Sequence, residues 1–170
     1  RTIRKLNLDK KLKVKVLINQ EDISKFDFKK FKNLIPFKNK DYFTKRYLKH
    51  PIYNYKVFGI FEKDDIVSLM VTRSQVHNSS KALRIIDFFG DEKNIKIFGQ
   101  FLLKYIIEKN YEYADLYCFG IKSSILEKSG FCLVNENKDD IIIPNYFNPY
   151  VRENTPIRFF YDSKEIDKLR

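Results

Sequence analysis

Asp87 is the lone acidic residue in the apolar run LRIIDFF (83–89). A carboxylate there could accept a proton from a substrate amine, provided it is held near neutral chemistry by its surroundings. His77 lies in the polar stretch just before that run, and His50 precedes Pro51. Either imidazole could act as a base near neutral pH. Asp87 and His77 are the candidate catalytic residues. The competing readings are an Asp87 that faces solvent or pairs with Arg84 or Arg73, and a His77 that is only a surface residue. Directly after the run comes GDEKNIKIFG (90–99), which leads into the helix-like QFLLKYIIEK. A strand that passes through glycine into a helix start can hold a phosphate on outward-pointing amides. Such loops usually carry several glycines, and this one has Gly90 and Gly99 only. No Ser-His-Asp order and no metal-ligand spacing is present, so hydrolase and metalloenzyme chemistry have no support.

The elements that must position these groups follow from periodicity. LKVKVLI (12–18) alternates apolar and basic residues, as a half-buried strand does. Residues 21–35 can place Ile23, Phe26, Leu34 and Ile35 on one helical face before Pro36, and 41–50 reads as a second short helix ended by Pro51. Residues 55–73 read as a hairpin around an acidic turn at Glu62–Asp65, followed by a polar loop SQVHNSSKA and the strand 83–90. The next helix carries Phe98, Phe101, Leu102, Tyr105 and Ile106 on one stripe. YADLYCF (113–119) reads as a buried strand, and SSILEKSGF (123–131) as a short helix closed by Gly130. FCLVNE, DDIIIP and IRFFYD are further strand candidates around an irregular loop, 145–156. The order gives a mixed α/β (α+β) fold: a mainly antiparallel sheet with a central βαβ unit flanked by helices.

The composition, 44% hydrophobic and 16% aromatic, argues against disorder and fits one domain. Net charge is +11, all of it in the first third: residues 1–50 hold 16 Lys/Arg against 5 Asp/Glu, and the remaining 120 hold 17 of each. That excess suits either a solvated face or a surface for an anionic partner. Tyr42, Phe43, Tyr47, Tyr53 and Tyr55 are interleaved with the basic residues and could stack on a sugar or a base, although the chain matches no nucleic-acid-binding module. Cys118 and Cys132 are expected as buried free thiols in a reducing compartment, and Lys104 interrupts the longest apolar helix below membrane-spanning length. The expected location is the cytoplasm. Arg1 opens the chain, so an upstream domain ending at 1–11 is one expectation, and an oligomer is a separate one.

Over about residues 12–162 the chain resembles the GNAT superfamily of N-acyltransferases, with 163–170 as a tail. The family holds the acyl-coenzyme A pyrophosphate in a loop of the form [QR]-x-x-G-x-[GA]. The equivalent here is Asn94-Ile95-Lys96-Ile97-Phe98-Gly99. Ile97 stands where the family has its first glycine, and Asn94 lacks the reach of Gln or Arg. The resemblance therefore implies a weakly held pyrophosphate and an acetyl-CoA or other acyl-CoA donor held mainly by its pantetheine arm along Phe88, Phe89 and Gly90. SSILEKSGF is similar to the family's closing helix at Glu127, Lys128, Gly130 and Phe131, with Leu126 where many members carry an acidic tyrosine. Residues 45–61, 83–90 and 143–161 resemble GNAT-like proteins encoded among bacterial surface-polysaccharide genes. That implies an amino sugar or sugar nucleotide acceptor, with His50, Tyr53, Tyr146, Asn148 and Arg152 as substrate-binding residues. The alternative is a non-catalytic GNAT-like module beside a catalytic domain.

Overall fold

The computed structural model describes residues 12–34, 36–118 and 120–134. Among these residues five strands form one sheet in the order β1-β2-β3-β4-β5: β1 Leu12–Leu17, β2 Tyr55–Glu62, β3 Asp65–His77, β4 Ser80–Gly90 and β5 Tyr113–Leu116. The first four are antiparallel, and β5 runs parallel to β4. The crossover between them is α3, Ile95–Glu108, preceded by a 3-10 turn at Glu92–Asn94. The expected mixed, mainly antiparallel sheet with a βαβ unit is therefore present, with β4 and β5 at one end of the strand order among these residues.

Each face of the sheet buries its own apolar layer. On one side α3 lays Ile97, Phe98, Leu102 and Tyr105 over Phe58, Ile60, Met70 and Ile85. On the other side the segment between β1 and β2 packs Ile23, Phe26, Phe28, Phe43 and Tyr47 against Val57, Leu69, Val71 and Phe89. Phe43 is fully buried and within ring-contact distance of Phe28, Tyr47 and Phe89. Truncating such a ring to Ala typically costs about 3–5 kcal/mol.

Several elements differ from the sequence expectation, each for a physical reason. The single helix expected over 21–35 is α1, Gln20–Ser24, followed by a separate 3-10 turn at Phe28–Phe31. Phe26 and Phe28 are both buried, and a two-residue spacing puts them on one face only if the backbone between them is not helical. Asp27 supplies that break and caps the following turn through Lys29 N. The second helix begins as α2, Lys40–Phe43, and widens into a π turn over Thr44–Leu48. The polar stretch expected as a loop before β4 is strand instead. Asn78 and Ser79, both at positive φ, form a two-residue turn that lets β3 and β4 pair up to His77 and Ser80. β5 is shorter than expected and only half-buried apart from Asp115, while Cys118 and Cys132 are exposed rather than buried. Of FCLVNE only 131–134 lies among the described residues, and it is not strand; DDIIIP, the loop 145–156 and IRFFYD lie outside them.

Candidate active site

β4 does not alternate evenly. Ile85 packs on the α3 side, and so does Phe88, three residues on, while Ile86 and Phe89 pack on the opposite side. The phase slips because Val71 pairs with Asp87 but Thr72 pairs with Ile85, leaving Ile86 as the extra residue of a β-bulge. A bulge re-aims the side chains that follow it. Here it turns Asp87 to the face covered by α1 and α2, where an unbroken alternation would have sent it under α3.

Two side chains meet Asp87 there. Lys38 Nζ lies 2.6 Å from Oδ1, and the Tyr47 hydroxyl donates to Oδ2 at 2.6 Å. Tyr47 sits on the π turn, a helical irregularity often found where a side chain has a specific task. Burial, followed by the Asp87 charge, holds the Tyr47 hydroxyl proton far above the ordinary phenol range. Tyr47 is therefore a neutral donor that fixes one carboxylate oxygen, leaving the other to a cation. Asp87 pairs with neither Arg84 nor Arg73. Arg84 instead forms a bidentate pair with Asp115, its register partner on β5: Nη2 donates to Oδ2 at 2.9 Å and Nε is shared between Oδ2 at 3.0 Å and Oδ1 at 3.3 Å.

Beyond this point the two parallel strands part. β5 pairs with β4 only from Ala82 to Ile85, so Ile86–Gly90 has no strand partner on that side among the described residues. The opening has apolar walls, including Phe88, Leu116, Ile121 and Phe131, around a small void of about 10 Å³. Backbone groups that no described strand pairs, set between apolar walls, suit an extended amide-bearing chain, as added strands do in peptide recognition. Phe131 is held at this wall by the close of α4, Ser123–Lys128, where Phe131 N donates to Leu126 O and Gly130 takes φ +91°. Leu126 is half-buried and offers no acid.

The loop that leads into α3 is occupied by its own groups. Asp91 accepts from Lys93 N and pairs with Lys93 Nζ at 2.9 Å, which holds its carboxyl below the usual range. Asp91 thus caps the 3-10 turn just ahead of α3, while the start of α3 itself has no side-chain cap. Asn94 is buried and donates to Ser68 Oγ at 2.9 Å. Ile95, Ile97 and Phe98 are buried, and only the Lys96 side chain of this segment is exposed. Ile97 therefore fills the core rather than the space above the loop. Both glycines answer to packing: a Cβ on Gly90 would stand 2.8 Å from Ser68 Cα, and one on Gly99 would collide with the Ser129 carbonyl.

His50 and Tyr53 come together at the edge of an open cavity of about 450 Å³ beside Tyr47, Tyr55 and Lys56. His50 Nδ1 accepts from Ile52 N and Tyr53 N, at 3.1 and 2.9 Å, and its ring stacks on Tyr53. The ring shapes the 50–55 loop, and Tyr47 joins the cavity to Asp87. His77 does not join this site. It sits at the β3–β4 turn, seven residues along β4 from Asp87, or roughly 20 Å at the usual rise per residue. Tyr146, Asn148 and Arg152 lie outside the described residues. Sequence reasoning missed Lys38 altogether, because 49 positions separate it from Asp87 and no local pattern marks it. Tyr47 was visible only as one aromatic among several.

Among the described residues no group of three His, Cys, Asp or Glu side chains could hold a metal, and no helix is long and apolar enough to cross a membrane. No sequence-family model matches the chain, and no curated protein matches it by sequence. Solved structures do match it by fold. An aminoglycoside acetyltransferase from an uncultured soil metagenomic sample, crystallised with trehalose, superposes with a TM-score of 0.55 at 15% identity, covering 92% of this chain and 99% of that one. A glucosamine-6-phosphate N-acetyltransferase from Arabidopsis thaliana gives 0.54 at 18%, covering 81% and 99%. An acetyltransferase from Trypanosoma brucei gives 0.55 at 15%, covering 73% and 94%. The architecture is that of the GNAT acetyltransferases, a mostly antiparallel open sheet with a splayed parallel pair.

Proposed function

We propose that this chain is an acyl-CoA-dependent N-acyltransferase whose acceptor is an amine on an amino sugar or sugar nucleotide, of the kind used in bacterial surface-polysaccharide assembly. The observation that carries the reading is the bulge in β4. It places Asp87, with one oxygen fixed by Tyr47 and the other already holding an amine, beside the strand edge that β5 leaves free. The donor's pantetheine arm would lie along Ile86–Gly90, and it would supply the activated acyl group. Asp87 Oδ1 would hold the acceptor's ammonium and take its proton. Leu126 supplies no proton to the departing thiolate. A thiol has an ordinary pKa of about 8.5, so solvent or another group can protonate it. The cavity at His50 and Tyr53 offers aromatic rings, which suit the apolar face of a sugar. Acetyltransferase neighbours described with trehalose or named for glucosamine-6-phosphate are in keeping with a sugar acceptor.

The fit is good for the arm and poor for the pyrophosphate, where Asp91 stands. A free helix start contributes about 0.3–1 kcal/mol to an anion, against about 8 kcal/mol for micromolar binding. Calorimetry should therefore show weak acetyl-CoA binding. Tight, submicromolar binding that survives Asn94→Ala would mean that the loop is a working cradle after all. With amino sugars and nucleotide-linked amino sugars as acceptors, Asp87→Asn should lower kcat by about 10²–10⁴-fold. An unchanged kcat would remove Asp87 from the chemistry. The carboxylate at the turn just before α3 favours a second reading, a GNAT-like module that does no transfer, and complete absence of donor binding would put that reading first.

A further inference from the structure

We propose that Lys38 is a self-acylation site, and that its amine occupies the acceptor position until a substrate amine or an acyl group replaces it. The inference rests on the acyltransferase reading above. Lys38 Nζ contacts Asp87 Oδ1 at 2.6 Å and lies over the Phe89 ring at 5.7 Å. Asp87 and Phe89 are alternate residues on one face of β4, within the stretch whose edge is free toward β5. An acyl thioester laid along that edge comes within reach of this amine. Tyr47 saturates the other Asp87 oxygen, so the contact with Lys38 leaves one route for its proton.

Among the described residues, the other lysines paired with a carboxylate lack this combination. Lys25, Lys30 and Lys93 also pair with carboxylates, but their side chains are 53%, 74% and 77% exposed, against 14% for Lys38. Burial beside a carboxylate and an aromatic face removes competing water, the condition under which the acyl group passes to an amine rather than to water.

The step balances without an oxidant or reductant. Asp87 takes one proton from the Lys38 ammonium. The freed Nζ electron pair bonds to the thioester carbonyl carbon, and the C–S bond breaks with its pair going to sulfur. The second nitrogen proton is lost and the thiolate is protonated to the thiol. Asp87 then returns its proton to water, so acyl-lysine and thiol form with net release of one proton. The product amide no longer carries a cation, and Oδ1 is released to an acceptor ammonium. Lys38 and the acceptor are competitors for one oxygen.

The test uses the full chain incubated with acetyl-CoA, peptide mapping by mass spectrometry, and calorimetry of acetyl-CoA on the same preparation. Lys38 should gain one acetyl group at least about tenfold faster than any other lysine, and Asp87→Asn should slow that gain by about a hundredfold, the ordinary worth of a positioned base. Lys38→Arg, which keeps the cation and the fold, should abolish modification at this position. Acetyl phosphate, which needs no donor groove, should show no preference for Lys38. Donor binding without preferential Lys38 acetylation overturns the proposal and leaves the acyltransferase reading standing. So does an equal preference with acetyl phosphate, or a rate that Asp87→Asn does not change. Absence of donor binding overturns both.

Discussion

Gly99→Ala separates a packing glycine from a ligand-approach glycine. The added methyl would meet the backbone carbonyl of Ser129, at the close of α4. That carbonyl has little freedom. Ser129 is buried, its amide bonds back to Ile125 and Leu126, and its hydroxyl donates to the Ile125 carbonyl at 2.6 Å. Relief therefore requires α3 and α4 to move apart as units. Ala contributes about 1 kcal/mol over Gly in a helix interior. Overpacking a fixed site costs about 1–3 kcal/mol, and more where the obstacle is backbone. Taking the upper end for a backbone obstacle, the expected net loss is about 2 kcal/mol, which for a chain of this size lowers Tm by about 4–8 °C. Urea denaturation should show a lower midpoint with an unchanged slope. Acetyl-CoA affinity of the folded fraction should stay within about threefold, or roughly 0.7 kcal/mol. Stability equal to or above that of the parent, together with a large loss of donor affinity, would refute the reasoning.

Asp115→Ala leaves the Arg84 guanidinium buried without its bidentate partner. Breaking one side of a buried pair costs about 3–5 kcal/mol, readable in the denaturation midpoint. Tyr47→Phe should keep the fold and change its alkaline limit. The folded Tyr47 proton is held far above the ordinary phenol pKa by burial and then by the Asp87 charge. The folded state thus keeps a proton that the unfolded chain loses above about pH 10, and this part of the stability is present below that pH and falls as pH rises past it. In Tyr47→Phe the decline above about pH 10 should be shallower than in the parent, and an unchanged slope would count against the assigned Tyr47–Asp87 contact.

The central part of the fold was legible because its signals are local. The hairpin at Glu62–Asp65, the run 83–90, the stripe along α3 and the glycine that closes α4 each lie within one stretch of chain. The segment 20–34 was misread because Ile23 and Phe26 fit a helix while Phe28 requires an interruption, and the capping choice of Asp27 decides it. Asp87 was visible as an acid in an apolar run, but its direction was not. A single unpaired residue, Ile86, reverses the face on which it lies, and that depends on pairing with β3. The loop 90–99 could be placed but not interpreted, since Gly90 and Gly99 answer to Ser68 and Ser129, which are distant in sequence.

The register of β1 bears on the order in which the molecule assembles. Leu12 pairs with Glu62, across fifty positions, whereas β3 meets β4 through a turn of two residues. Closing the larger loop must wait until Ile23, Phe26 and Phe43 have covered the sheet, because their burial offsets the chain entropy lost in bringing the ends together. The β2–β3–β4 meander is therefore the expected early unit, with β1 the last strand to join and the first to leave. In hydrogen exchange its amides should open at lower free energy than those of β3. Detachment would uncover the outer edge of β2, and the exposed Lys13 and Lys15 of β1 do not guard that newly opened edge against pairing with another chain.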